Sequence, residues 1–416
     1  MRIATSNRYD AAIDNLQKRQ QDMAEAQMQL TSGKRVNVPS DDPVAAARAE
    51  RDLATMARSD ANQRALEASR NVALLGEAAL GDATELLQQA RETMVNAGNG
   101  SYTTGERQAL AIKLQEIRNQ LLTVANRPDG GGGFIFGGQG SNAPPFIDTT
   151  NGVTFVGQGG EAMAASSERL NLTVDGNAVW LSAKSGNGVF ETTSGTNIVT
   201  GLPNSGTGWI TPGNVSNPQQ LPYPVPSNVA PSTYAIEFSV SGGQTTYTIL
   251  EDGIAMPSAT TLPYSSSKAI EIPGRGMSVS ITGAPANGDT FNVNQSDNKL
   301  SVFDALDEAI AGLKDTYSNT GQVQQLVNRG LSQIDALAGN FQRGRTALGE
   351  TLNRMDGIES RISSLKLIAQ TDRSAAEDLD MVEAFSEFQN KQTGYDAALK
   401  SYAMVQKLSL FQYVNG

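Results

Sequence analysis

Apolar residues recur every seven positions at both ends of the chain. Near the start, Tyr9, Leu16, Met23 and Leu30 form one row, with Ile13, Gln20 and Gln27 beside it. Near the end, Phe388, Tyr395 and Tyr402 repeat, with Phe385, Gln392, Leu399 and Gln406 on a second row, and Val405, Leu408 and Phe411 carry the stripe onward. These partial heptads predict long amphipathic helices with glutamines in the seam. A helix from Glu377 to Phe411 is roughly 50 Å long at the α-helical rise and cannot bury its stripe against itself. Two outcomes stay open. The ends pack back on the chain's own core as an ordinary bundle, or they form a coiled coil between chains. In the second case the antiparallel N- and C-terminal helices pair with each other and with neighbours, and are poorly ordered until those neighbours exist.

Helix starts punctuate the flanks. Asp42 before Pro43 puts a capping side chain at N-cap and proline at N1, where its missing N–H costs nothing. Thr103 with Glu106, Ser301 with Asp304, and Ser374 with Glu377 have capping-box spacing. Pro128 and the run Gly130–Gly133 end the N-terminal helical half. The middle alternates with period two: Leu170, Leu172 and Val174, then a turn at Asp175-Gly176 toward Val179-Trp180-Leu181; Tyr234, Ile236, Phe238 and Val240 up to Gly242-Gly243, then Tyr247 and Ile249; and Met277, Val279 and Ile281. These predict strands. Proline agrees, since 13 of 16 lie from Pro144 to Pro285. So does charge, because 134–297 holds only 4 Lys+Arg and 11 Asp+Glu. The expected fold is α+β and multidomain: a long helical bundle or coiled coil made by the N- and C-terminal regions, with an inserted, mainly antiparallel β domain. The expected parts are terminal assembly helices at 1–42 plus 372–416, a helical bundle at 43–133 plus 298–371, and the β domain at 134–297.

Composition narrows the chemistry. The 416 residues include no histidine and no cysteine. Those absences exclude Ser-His-Asp and Cys-His catalysis, His or Cys zinc sites, thiol redox chemistry and disulfides. A net charge of −11 is a poor match for nucleic acid. No apolar run is long enough to span a membrane, and the start, Met1 to Asn7, shows no apolar signal-peptide segment.

The remaining candidates read as structure. Asp41-Asp42 is a helix cap and bend rather than a metal pair, for lack of a third ligand at suitable spacing. Gly137-Gly138-Gln139-Gly140 fits no phosphate-binding pattern and reads as a linker. Glu377, Asp378, Asp380 and Glu383 read as the acidic first turns of a helix. Trp180, Trp209, Tyr223 and Tyr234 read as β-domain core rather than a sugar-binding face. For Ser32-Gly33-Lys34-Arg35 a partner contact and a glycine-ended helix with solvated cations stand equal. No catalytic, cofactor or metal residue is assigned. The assembly interface is expected at Ile13, Leu16, Met23, Leu30, Phe385, Phe388, Tyr395, Leu399, Tyr402, Val405, Leu408 and Phe411.

Two terminal motifs carry a family resemblance. Leu30-Thr31-Ser32-Gly33-Lys34-Arg35-Val36 followed by Pro39-Ser40-Asp41-Asp42-Pro43-Val44-Ala45-Ala46-Ala47 resembles the N-terminal signature of the flagellin superfamily, in its hook-associated branch. The stretch from Tyr395 through Tyr402-Ala403-Met404-Val405 to Phe411 is similar to the C-terminal end of that branch. Phe134-Ile135-Phe136-Gly137-Gly138, Ser185-Gly186-Asn187-Gly188-Val189-Phe190 and Gly283–Phe291 are islands of the same likeness, whereas 192–232 shows none. The resemblance implies a structural flagellar subunit without catalytic activity. It implies a ring of copies between a hook-associated junction protein and flagellin, export through the flagellum without a cleaved signal peptide, and a cytoplasmic export chaperone on the C-terminal helix. The alternatives are filament flagellin or another secreted polymerising surface protein and, more distantly, a secreted carboxylate-type glycosidase.

Overall fold

The computed structural model describes residues 3–140, 142–164, 166, 168–226, 228–316 and 318–414. They form two compact units, one of Met1–Arg64 with Gly357–Gly416, the other of Ala65–Asp356. Six helices carry the flanks: α1 (Ile3–Ser32), α2 (Pro43–Ala97), α3 (Thr104–Ala125), α4 (Val302–Lys314), α5 (Thr320–Glu377) and α6 (Met381–Val414). Helices α2 and α5 contribute residues to both units.

The starts follow the capping signals. Asp42 Oδ1 accepts from the N–H groups of Val44 and Ala45, ahead of Pro43. Thr103 and Glu106 form a reciprocal capping box at α3, and Ser301 accepts from Phe303 and Asp304 at α4. The expected start at Ser374 is corrected. Helix α5 runs through it to Glu377, and α6 begins at Met381, capped by Asp380 Oδ1 at 2.9 Å from the N–H of Val382 and 3.2 Å from that of Glu383. The acids expected in one helical start thus straddle the end of one helix and the start of the next.

The core of the Ala65–Asp356 unit is built around Trp180. Its ring lies 4.9 Å from Phe341 and 5.4 Å from Phe136, and stacks on Phe303 of α4 at 6.1 Å. The expected strands at 170–174 and 179–181 are not formed. Asn177–Leu181 is instead a single wide π-helical turn. A strand sends neighbouring side chains to opposite faces, whereas this turn buries both Val179 and Trp180. Trp180 accordingly belongs to the helical core and not, as expected, to the β core. Gly176 permits the turn, because a Cβ there would lie 2.3 Å from the Phe136 carbonyl oxygen. Ile135, Phe136, Phe146, Val174 and Ala183 join the same core, with Leu80, Leu87, Met94, Leu114, Leu121, Leu306 and Leu337 from the helices. Truncating a residue as enclosed as Trp180 to alanine typically costs about 3–5 kcal/mol.

Arg118 on α3 fastens this body from inside. It is 4% exposed. It donates to both oxygens of Asp148 at 2.6 and 2.7 Å, and its Nη2 donates to Asp307 of α4 at 3.0 Å. Asp148 lies on β1 (Phe146–Thr149), which pairs antiparallel with β2 (Gly152–Phe155). The Arg118 hydrogen bond holds the Asp148 carboxyl below the usual range. Burial, with Asp307 nearby, pushes Asp304 up.

A second core lies in two antiparallel sheets. One sheet has the order β3 (Phe190–Ser194), β12 (Thr290–Gln295), β6 (Tyr234–Ser241), β7 (Gln244–Glu251), β8 (Ile254–Ala255), with β9 (Leu262–Pro263) also on β7. The other runs β10 (Ala269–Ile272), β11 (Met277–Thr282), β4 (Trp209–Ile210), with β5 (Asn214–Val215) on β11. The expected alternations appear: Tyr234, Ile236 and Phe238 are buried on β6, and Met277, Val279 and Ile281 on β11. Gly242 and Gly243, both at positive φ, close the β6–β7 hairpin. Buried Asp289 organises the loops beside it, accepting from Asn197 Nδ2 and from the N–H groups of Ser205, Gly206 and Ala286. The chain enters and leaves this sheet pair side by side, with the Ser185 N–H donating to the Asp297 carbonyl at 3.0 Å and that of Ser296 to Val189 at 3.1 Å.

Two tests follow from this packing. Excising 188–294 and joining Asn187 to Gln295 through a short Gly-Ser linker should leave a helical body that still unfolds cooperatively. Excising 133–295, from Gly132 to Ser296, should destroy that transition because it removes Phe136, Phe146 and Trp180; calorimetry of the two shortened chains distinguishes them. For pH, a carboxylate whose folded pKa is depressed stabilises above its unfolded value, about 3.9, and loses that contribution as pH falls through the folded value. Asp304, shifted up, acts with the opposite sign. Asp148→Asn should therefore lower the melting temperature at neutral pH and flatten its fall below about pH 4; an unchanged acid limb would show that the Arg118–Asp148 pair does not couple to folding.

Candidate assembly surface

Helix α1 is rich in Gln and Ala with neither proline nor glycine inside it, which is helix-favouring composition. It stops at Gly33, whose φ of +71° is the left-handed C-terminal signal and whose N–H reaches the Gln29 carbonyl at 2.9 Å. Next come the two cations left open by the sequence, and both are engaged within the chain. Lys34 pairs with Glu377 at 3.1 Å, and Arg373 meets the same carboxylate at 2.8 Å. Arg35 donates to the Ala376 carbonyl at 2.8 Å and pairs with Asp42 at 3.2 Å. Asp42 is held below the usual carboxylate range by the Ala45 N–H and then by Arg35.

The α1–α2 connection thereby clasps the break between α5 and α6. The Arg35 N–H donates to the Glu377 carbonyl at 2.7 Å, and the Leu379 N–H donates to the Gly33 carbonyl at 3.0 Å. Asp41 Oδ2 stiffens the connection by accepting from Asn37 and Val38. Asp41 and Asp42 are thus a bend and a cap. Among the described residues no group of three or more acids is placed to hold a metal ion.

From this clasp α1 and α6 run antiparallel and pack together. A Cβ on Gly394 of α6 would come within 2.7 Å of the Arg19 guanidinium on α1. Leu16, Met23, Leu30, Phe388, Tyr395 and Tyr402 are half-buried, while Ile13, Phe385 and Leu399 are 39%, 56% and 41% exposed. The side chains of Val405, Leu408 and Phe411 lie outside the described residues. Among the described residues of the two helices only Ala26 is buried, and neither helix contributes to either apolar core. One mutual seam covers one side of each helix and leaves the rest bare. The heptad rows did not single out Met28, Val382 or Met404, which are also exposed. Asp380 was readable, since Asp380 with Glu383 has the same capping spacing as the pair chosen instead.

Comparison with known proteins accords with this geometry. Residues 3–141 match the bacterial flagellin N-terminal helical region, and 331–414 match the bacterial flagellin C-terminal helical region. Flagellar hook-associated protein 3 of Escherichia coli strain K12 is 25% identical over 422 residues, covering 99% of both chains. The chain belongs to the flagellin superfamily, in its FlgL type. Flagellar hook-associated protein 3 of Salmonella typhimurium is 38% identical over 155 residues, which make up 36% of this chain; the match spans about half (48%) of that relative's length. The crystal structure of the flagellar junction protein FlgL from Legionella pneumophila superposes with a TM-score of 0.63 at 26% identity, covering 71% of this chain and 95% of that one. The two flagellin-superfamily regions take in α1 and α6 together with the clasp at their base. No helix among the described residues is long and apolar enough to cross a membrane.

Removing the shared carboxylate tests the clasp. Glu377→Ala strands Lys34 and Arg373, and a partly buried ion pair of this kind contributes about 1 kcal/mol, less at high salt. Hydrogen exchange at the Arg35 and Leu379 amides should quicken several-fold at low salt, with no change in 79–125. Equal exchange in both proteins would mean that the carboxylate does not hold the two connections together.

Proposed function

We propose that this chain is a structural subunit of the flagellar hook–filament junction, acting through packing of its terminal helices and not through catalysis. The observation that carries this reading is the α1–α6 pair, whose apolar rows stand partly bare and outside either core. Apolar surface of that extent gains free energy only when neighbours cover it. The E. coli relative, hook-associated by name and similar over nearly the full length of both chains, favours the junction over filament flagellin. A glycosidase would need two carboxylates facing an open cleft; here Asp148 and Asp307 are both tied to Arg118.

The finer reading goes further. Copies of the chain form a ring, with a hook-associated protein on one side and flagellin on the other. Before export, a cytoplasmic chaperone covers the α6 stripe. The working site is the flagellum outside the cell, reached without a cleaved signal peptide. Residues 1–42 and 372–416 are the assembly segments, with Ile13, Leu16, Met23, Leu30, Phe385, Phe388, Tyr395, Leu399 and Tyr402 as contacts, together with Val405, Leu408 and Phe411. The bundle at 43–133 plus 298–371, whose core also takes in Phe136, Phe146 and Trp180, and the sheet pair within 134–297 support them.

Phe388→Asp and Leu399→Asp test the reading. A carboxylate placed on a seam that dries on assembly costs about 3 kcal/mol or more if unpaired. Both variants should be exported, should melt within about 1 °C of the parent in the Ala65–Asp356 unit, and should fail to retain filaments in a junction-deficient strain. Normal filament attachment, or a large fall in that unit's melting temperature, contradicts the assignment.

A further inference from the structure

With neither cysteine nor histidine in the chain, methionine is the side chain most open to two-electron oxidants. Its 11 methionines fall into distinct environments. Met94, Met277 and Met355 are at most 1% exposed, whereas Met28, Met163, Met381 and Met404 are 60%, 52%, 51% and 66% exposed. Three of those four stand on α1 and α6. Met28 lies two positions beyond buried Ala26, and Met404 two beyond half-buried Tyr402. Two residues of α-helix turn through about 200°, so both side chains, exposed to solvent, stand away from the α1–α6 seam. Met381 opens α6 beside exposed Val382 and Phe385.

We propose that Met28 and Met381, near the base of the helix pair, and Met404, roughly 35 Å farther along α6, are separate oxidation-sensitive points through which hydrogen peroxide switches off joining of the terminal helix pair to its neighbours. The inference rests on the assembly reading above. A thioether lone pair attacks one peroxide oxygen; the S–O bond forms as the O–O bond breaks, and the second oxygen leaves as water with both protons. Sulfur loses two electrons and peroxide gains them. The product sulfoxide is a strong acceptor with no donor of its own, so covering it with apolar surface is unfavourable. The core sulfurs are shielded, so the Ala65–Asp356 unit keeps its fold while the chain stops joining. Methionine sulfoxide reductases reverse the change.

The test treats full-length purified chain with hydrogen peroxide. Sulfoxide is mapped by peptide mass spectrometry, and incorporation is measured on hooks that lack this subunit. Met28, Met163, Met381 and Met404 should oxidise first and Met94, Met277 and Met355 last. Incorporation should fall at least tenfold, and reductase treatment should restore it. The triple variant Met28→Leu, Met381→Leu, Met404→Leu should incorporate equally before and after peroxide, while Met163→Leu should remain as sensitive as the parent. An untreated triple variant Met28→Gln, Met381→Gln, Met404→Gln, polar where the sulfoxide is polar, should fail to incorporate with its circular dichroism unchanged. Undiminished incorporation of the oxidised parent, protection by Met163→Leu, or normal incorporation of the Gln triple overturns the inference. Untreated Leu399→Asp separates the two ideas: if it incorporates normally the assembly reading falls, and if it fails while oxidised parent succeeds only the oxidation inference falls.

Discussion

A pair of helices shares one seam, and one seam cannot hide apolar side chains distributed around both helices. That constraint governs the terminal regions of this chain. Helices α1 and α6 meet along half-buried Leu16, Met23, Phe388, Tyr395 and Tyr402, yet Phe385, Leu399, Met28 and Met404 remain exposed. Favourable residues supply helix propensity, but propensity alone is weak for an isolated pair. The pair is held at its base by backbone and ionic ties from Gly33, Lys34 and Arg35 to Glu377 and Leu379. Fixing the two chain connections against each other keeps the helices antiparallel without covering their outer faces, which suits helices completed by neighbours.

The Ala65–Asp356 unit solves the opposite problem. Trp180 and its ring of phenylalanines supply dense burial, and Arg118 joins three elements through two carboxylates. The sheet pair is fastened to α5 by polar contacts rather than by a continuous apolar layer. Gln325 Oε1 accepts from the Ile210 N–H at 2.7 Å, Gln322 donates to the Asn204 carbonyl at 2.9 Å, and Asn319 reaches the Ser205 and Gly206 carbonyls. Such directional contacts fix an orientation with little shared apolar area. They explain why two separate apolar cores exist inside one compact unit.

Much of this was legible in the residues. Heptad rows found α1 and α6, the capping pairs at Thr103 and Ser301 marked real helix starts, and period-two alternation found β6, β7 and β11. What escaped was set by tertiary contact. Leu170, Leu172 and Val174 alternate like a strand, but their backbone finds two different partners, 162–164 and then Ile135, so only isolated bridges form before the π turn at Asn177–Leu181. Trp180 was grouped with the β region by sequence position, whereas the helices enclose it. The break at Asp378–Asp380 was hidden because Ser374 with Glu377 and Asp380 with Glu383 offer rival caps, and the ties from Gly33 and Arg35 select the second. Lys34 and Arg35 were undecidable from sequence, since Glu377 and the Ala376 carbonyl, which they reach, lie more than three hundred positions away, and only the Arg35–Asp42 pair is local.

Hydrogen–deuterium exchange, comparing free chain with chain assembled on hooks, most directly tests whether the terminal helices find their cover only in assembly. In the free chain, amides of 3–32 and 381–414 should exchange orders of magnitude faster than those of 79–94 and 302–313, and on assembly they should become comparably protected. Terminal helices already as protected in the free monomer as Leu80, Leu87 and Leu306 would contradict it, placing those helices in the chain's own stable core.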